Sequence, residues 1–102
     1  MLIYLSGPYS HKHWWRRVKN IYLAWRASAK LWDEGHTVIC PHTNTMFFEY
    51  ITKLPYKSYI KRDLLLVELC DTLALLPGWE KSHGAMSEYW LAHKLNKEIV
   101  FL

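Results

Sequence analysis

Four short apolar runs, three of them followed at once by turn-forming residues, constrain this chain more than any other feature. Leu2-Ile-Tyr-Leu5 runs into Ser6-Gly7-Pro8, Thr37-Val-Ile-Cys40 into Pro41, and Thr72-Leu-Ala-Leu-Leu76 into Pro77-Gly78; Glu98-Ile-Val-Phe-Leu102 is the fourth. Runs this short read as buried strands. Between them the period changes. Over about 14–34, Val18, Ile21, Tyr22, Trp25, Ala29 and Trp32 recur at helical spacing and are expected to form the buried face, with Gly35 as a natural stop. Residues 42–54 show no clear period and read as a loop. Pro55 can open a helix in which Ile60, Leu64 and Val67 keep the spacing, and a last helix is expected over about 83–96. Strands alternating with helices specify parallel β-α-β units. Ligands bind beyond the carboxyl ends of such strands. That rule selects residues 6–16, 41–48 and 77–88.

A length of 102 residues fits one domain, against a usual size of roughly 150. A 51% hydrophobic and 22% charged composition supports a packed core and excludes a disordered chain. No stretch approaches the roughly 20 apolar residues of a membrane span, so no membrane partner is expected. Met1-Leu-Ile-Tyr-Leu5 runs directly into Ser6-Gly7-Pro8 without a charged leader, so the expected location is the cytoplasm. The net charge of +4 is a mild excess that favours an anionic partner. Its densest basic stretch, residues 12–17, is a weak candidate for nucleic-acid binding, which would show a steep salt dependence. Cys40 and Cys70 read as free thiols. Cys40 and His42 have no second pair at zinc-ligand spacing, so no metal is expected, and no cofactor either. Six tryptophans on so small a body suggest a homodimer or higher homo-oligomer.

The most informative segment runs from Leu75 to Ala92. It leaves a strand, turns at Pro77-Gly78 and enters a helix near Ser82, a good N-cap residue. Gly84 and Ala85 leave backbone N–H groups approachable at a helix start, which attracts anions. Ala85, Glu88, Leu91, Ala92 and Leu95 share one side of that helix. A carboxylate on an apolar stripe is costly unless it has a partner or a job. Pairing of Glu88 with Lys81, or capping of backbone amides, would also account for it. Asp63 would be either an exposed partner of Lys57 or Lys61 or a site residue. Asp71 precedes its strand and reads as a helix-to-strand turn residue.

Together, "IYLSGPYS", "GHTVICPH", "CDTLALLPGWEKSHGAMSE" and "KEIVFL" resemble the nucleoside 2-deoxyribosyltransferase-like superfamily over nearly the whole chain, in particular its small bacterial and phage members. The resemblance implies that residues 1–102 form one domain of that type. It implies an α/β fold, a single-domain Rossmann-like or flavodoxin-like parallel sheet of about four to five strands with flanking helices. It implies cleavage of the N-glycosidic bond of a (deoxy)nucleoside or its 5'-monophosphate. It makes Glu88 the nucleophile, Tyr4 the residue that positions it, and Asp63 a contact to the nucleoside. Ser82 occupies a place that holds Ser in the related nucleotide hydrolases, where it contacts the 5'-phosphate, and Asp in the transferases; this favours a nucleotide. The first turn departs from the hydrolase pattern, which has glycines and an arginine where this chain has Ser6-Gly7-Pro8-Tyr9. Lys12, His13 and Arg16 are then the candidates for phosphate.

In such a reaction positive charge builds on C1' of the sugar. A carboxylate beneath it stabilises the transition state and can bond to C1' before water or a second base attacks. Glu88 is expected to be ionised, with the Tyr4 hydroxyl favouring that form. Asp63, His42 and Asn44 are candidates to meet the departing base. Trp79, Tyr9 and Phe47 are candidates to sandwich it. Ser6, Gly7, Pro8, Gly84 and Ala85 complete the expected substrate-binding set. Hydrolase and transferase differ only in what attacks second. The alternative is a non-catalytic protein that binds a nucleotide or nucleotide-derived signal.

Overall fold

Alternating strands and helices give a four-stranded, wholly parallel sheet. The structure is a computed structural model describing residues 1–102. In chain order it has β1 (Leu2–Ser6), α1 (Trp14–Asp33), β2 (Thr37–Ile39), α2 (Pro41–Asn44), α3 (Tyr56–Leu69), β3 (Thr72–Leu75), α4 (His83–Lys94) and β4 (Glu98–Phe101). The sheet order is β2-β1-β3-β4. Ile3 pairs with Val38 on one side and Thr72 on the other, and Leu75 pairs with Phe101. No helix is long and apolar enough to cross a membrane.

Side-chain alternation along β1 divides the core. Ile3 and Leu5 face α1 and pack with Ala24, Val38, Cys40, Ala74 and Leu76. Tyr4 faces the other way, toward α3 and α4, and packs with Val67, Cys70, Leu73, Leu75 and Ala92. Ser6 has the parity of Tyr4, so both polar side chains of β1 reach the same layer. Cys40 and Cys70 are buried free thiols. Asp71 is the helix-to-strand residue expected: its Oδ2 accepts from the Leu2 N–H at 2.9 Å, and its own N–H donates to the Leu2 carbonyl at 2.8 Å.

Two expectations change. The buried face of α1 is Ile21 and Ala24, backed by Ala27 and Leu31, whereas Val18, Tyr22, Trp25, Ala29 and Trp32 are exposed. Small alanines let the helix approach the sheet, where the bulky aromatics would hold it away. The stretch 42–54 is not a plain loop. Pro41 opens α2 at a position where its missing N–H costs nothing. A 3-10 turn follows at Phe48–Tyr50. Gly35, the expected stop, has φ +94°, and Gly78 has φ +89°, a region L side chains rarely adopt.

Candidate active site

The three segments that follow β1, β2 and β3 converge on one cavity above the strand ends. Gly7, Tyr9 and Ser10 come from the first, Pro41, His42, Thr45 and Glu49 from the second, and Ser82, Gly84, Ala85 and Glu88 from the third. The fourth wall is α3. Tyr56, Tyr59, Ile60 and Asp63 line the cavity at spacings of three, four and seven, which is one helix face.

Glu88 lies on the second turn of α4 with only 7% of its surface exposed. Two hydroxyls from β1 converge on its carboxylate. Tyr4 donates to Oε2, and Ser6 donates to Oε1 at 2.5 Å. Each oxygen is thus held by its own donor, which fixes the plane of the carboxylate. Burial raises its pKa, the Ser6 and Tyr4 hydrogen bonds lower it, and the charge of Asp63 raises it, for a net value of about 7. The two donors favour the charged form, and desolvation, the larger effect, opposes it. Tyr4 is buried beside this carboxylate, and both facts push its phenol far upward, so it remains a donor.

Asp63 is half-buried on the α3 wall, and burial raises its pKa to about 6. Tyr56, at the start of the same face, is raised by burial and then by the charges of Glu88 and Asp63. A Cβ at Gly84 would sit 3.2 Å from Ile60 Cδ1 and 3.5 Å from the Tyr56 hydroxyl. This close approach of α3 to the first turn of α4 suits a glycine. Ser82 caps α4, its Oγ accepting from the Ala85 N–H at 3.3 Å. His42 is buried, its Nε2 lies 2.8 Å from the Pro8 carbonyl, and burial lowers its pKa. A carbonyl only accepts, so Nε2 carries the proton.

Of the residues expected at the site, Tyr4, Ser6, Gly7, Tyr9, His42, Asp63, Ser82, Gly84, Ala85 and Glu88 line the cavity or hold Glu88. Four are placed elsewhere. Pro8 supports the site through its carbonyl without lining the cavity. Asn44 ends α2 on the exposed surface. Trp79 packs on Tyr89 and Phe101, with ring centroids 4.7 and 5.9 Å apart, because the turn at Gly78 points it back toward α4 and β4. Phe47 lies in a separate apolar groove with Val18, Tyr22 and Trp25. The phosphate candidates Lys12, His13 and Arg16 also fall outside the wall. Arg17, Thr45, Glu49, Tyr56 and Tyr59 were not foreseen. The spacing Tyr56-Tyr59-Ile60-Asp63 carries the signal for the α3 wall; the aperiodic stretch carries none for Thr45 and Glu49.

Fold and site together define a class: a single-sheet α/β protein whose strand-end cavity holds a buried, doubly hydrogen-bonded glutamate. The chain belongs to the family described as domain of unknown function DUF4406, which matches residues 1–101. No curated protein matches it.

Proposed function

We propose that this protein cleaves the N-glycosidic bond of a (deoxy)nucleoside or (deoxy)nucleoside 5'-monophosphate, with Glu88 as the nucleophile, by hydrolysis or base transfer. The observation that carries the reading is the convergence of Tyr4 and Ser6 on Glu88 at the cavity wall. A buried carboxylate aimed by two donors suits attack on C1' and stabilisation of an oxocarbenium-like transition state. Asp63, with its raised pKa, supplies a proton to the departing base near neutrality. Tyr9 from the β1 loop and Tyr56 and Tyr59 from α3 offer ring faces for the base. The sequence resemblance to nucleoside 2-deoxyribosyltransferase-like enzymes points to the same chemistry. The expected site of action is the cytoplasm, and no cofactor enters the scheme. Trp14, Trp15, Trp25, Trp32 and Trp90 are more than half exposed, and self-association would cover part of that surface. Sedimentation equilibrium tests this, and a monomer at all concentrations refutes it.

The test of the reaction is release of free base from deoxynucleosides and their 5'-monophosphates, with and without a second base, beside Glu88→Ala. Base released without an acceptor and lost in the variant establishes a hydrolase. Exchange only with an acceptor establishes a transferase. Binding without release refutes catalysis and leaves a nucleotide-binding protein.

A further inference from the structure

The densest basic stretch of the chain is only the start of a longer cationic face. Lys12, Arg16, Arg17, Lys19, Arg26 and Lys30 place six of the 13 Lys and Arg within residues 1–32, where none of the nine Asp and Glu lies. In the fold, Trp15, Lys19, Tyr22, Arg26 and Lys30 recur along α1 at spacings of four, three, four and four, and all five are exposed. They form one row about 22 Å long, at a rise of roughly 1.5 Å per residue. Arg26 donates to the Tyr22 hydroxyl at 3.3 Å, and Arg17, in the first turn of α1, donates to the His11 carbonyl and the Tyr50 hydroxyl. These partners are neutral oxygens and leave both charges uncancelled.

The start of α1 adds a ladder of rings. His11 and His13 stack with centroids 5.4 Å apart, and His13 and Trp15 stack at 4.2 Å with their planes 19° apart. The His13 N–H donates to His11 Nδ1 at 3.1 Å, which ties the ladder to the loop before the helix. Trp15 is 52% exposed and stands at the head of the row. α1 has no side-chain cap and no acidic residue in its first turn, so Arg16 and Arg17 stand at the positive end of the helix dipole, where cations destabilise. The His11 pKa is lowered by desolvation and then by the positive charges of His13, Arg16, Lys12 and Arg17. An anion bound at this end offsets both the dipole and the crowding of cations.

We propose that this face of α1 binds single-stranded nucleic acid. Cations spaced along a row meet successive phosphates, and aromatic rings between them receive unpaired bases. Trp15 and Tyr22 alternate with Lys19, Arg26 and Lys30 in that way. A second copy of the chain laid on the same face is a poorer occupant, because it sets cations against cations. An anionic lipid surface matches the charge but not the ladder, whose ring faces lie nearly parallel and suit one more ring rather than a headgroup. A duplex keeps its bases stacked inside and offers the rings no free face.

The experiment titrates the full chain with a fluorescent single strand of about 12 nucleotides, within the usual range of site sizes, beside its duplex, base-free polyphosphate and phosphatidylserine vesicles. Wild type should bind the single strand most tightly and lose tryptophan fluorescence as it does so. The logarithm of the association constant should fall with that of salt at a slope of about −2, for three phosphates at roughly 0.7 each. The double variant Lys19→Gln/Arg26→Gln should flatten that slope to about −0.7. Trp15→Ala should weaken binding on the order of tenfold, the scale of one stacked base, and leave the slope unchanged. All three residues are exposed, and thermal denaturation checks that the fold is intact. No binding at low salt overturns the proposal, as do polyphosphate or duplex bound equally well, vesicles bound in preference, or variants that bind like wild type. Binding is read without turnover, so the outcome is independent of the glycosidic reading.

Discussion

Glu88→Gln should make the protein more stable, and only at the pH where the carboxylate would be charged. The pKa of Glu88 rises from an ordinary 4.5 to about 7 in the fold. A group whose pKa is raised by folding binds its proton more tightly in the native state. Its stabilisation is fully present below pH 4.5 and is lost as pH rises to about 7. The displacement corresponds to about 3 kcal/mol above pH 7. Glutamine keeps the shape and an oxygen acceptor for Tyr4. Its amide must donate to Ser6, whose hydroxyl then loses its best acceptor, an offset of about 1 kcal/mol. The net gain at pH 8 is about 2 kcal/mol, a rise in Tm of roughly 10 °C for a domain of this size. Urea denaturation followed by tryptophan fluorescence, at pH 8 and pH 4.5, measures it. At the lower pH only a few tenths of a kcal/mol of that displacement remain, so the hydrogen-bond offset wins and the variant should be less stable by roughly half a kcal/mol. A variant less stable than wild type at pH 8, or equally stabilised at both pH values, would refute the claim that desolvation outweighs the two hydrogen bonds.

On the proposed glycosidic reading, the same balance governs activity. A nucleophilic Glu88 must be ionised and an acidic Asp63 protonated, so the pair should give a narrow bell in kcat/KM against pH with its maximum between about 6 and 7; a flat profile from pH 5 to 9 excludes one of the two roles. Tyr4→Phe removes a hydrogen bond that lowers the Glu88 pKa, the higher of the pair, so the alkaline limb should move upward by about one pH unit and the peak fall, while circular dichroism stays unchanged. Gly7→Ala should destabilise by about 1–3 kcal/mol, because its Cβ would sit 2.7 Å from Leu76 Cβ, an atom fixed to the backbone just past β3; a neutral result in thermal denaturation would show that the β1 turn gives way. Asp71→Ala should cost about 1 kcal/mol through the unpaired Leu2 N–H, with kcat/KM untouched at this opposite end of the sheet.

What was legible in the sequence follows the strength of each local signal. The strand runs sit beside prolines and glycines that cannot continue them, so the strand order of events and the three cavity segments could be read directly. Glu88 stood out because charge on an apolar helix stripe is expensive. The hydrogen bond from Ser6 to Glu88 follows from the alternation of β1, which puts Ser6 on the same side as Tyr4. The face of α1 was misjudged because periodicity weighs Trp25 and Ala24 by hydrophobicity, whereas packing on a sheet selects by size. Trp79 lies in a cavity-forming segment but turns away at Gly78, a reversal that depends on φ. Glu49 depends on a long-range bond to Tyr9, 40 residues earlier, which no window of sequence can contain.

The site also explains why its key group lies so deep. A carboxylate in water needs no donors to stay charged, but water would hydrate it and leave it unaimed. Burial removes the water and weakens the charge; Tyr4 and Ser6 restore part of the charge and fix the direction. Neither requirement can be met alone from α4, because a helix start presents N–H groups to what lies beyond its axis, not to a side chain one turn further on. The donors must come from a neighbouring element. Only the central strand β1, flanked by β2 and β3 and buried on both faces, passes directly beneath Glu88 with two hydroxyls at one parity. The parallel sheet is thus what allows a carboxylate to be dry, aimed and still ionisable near neutral pH.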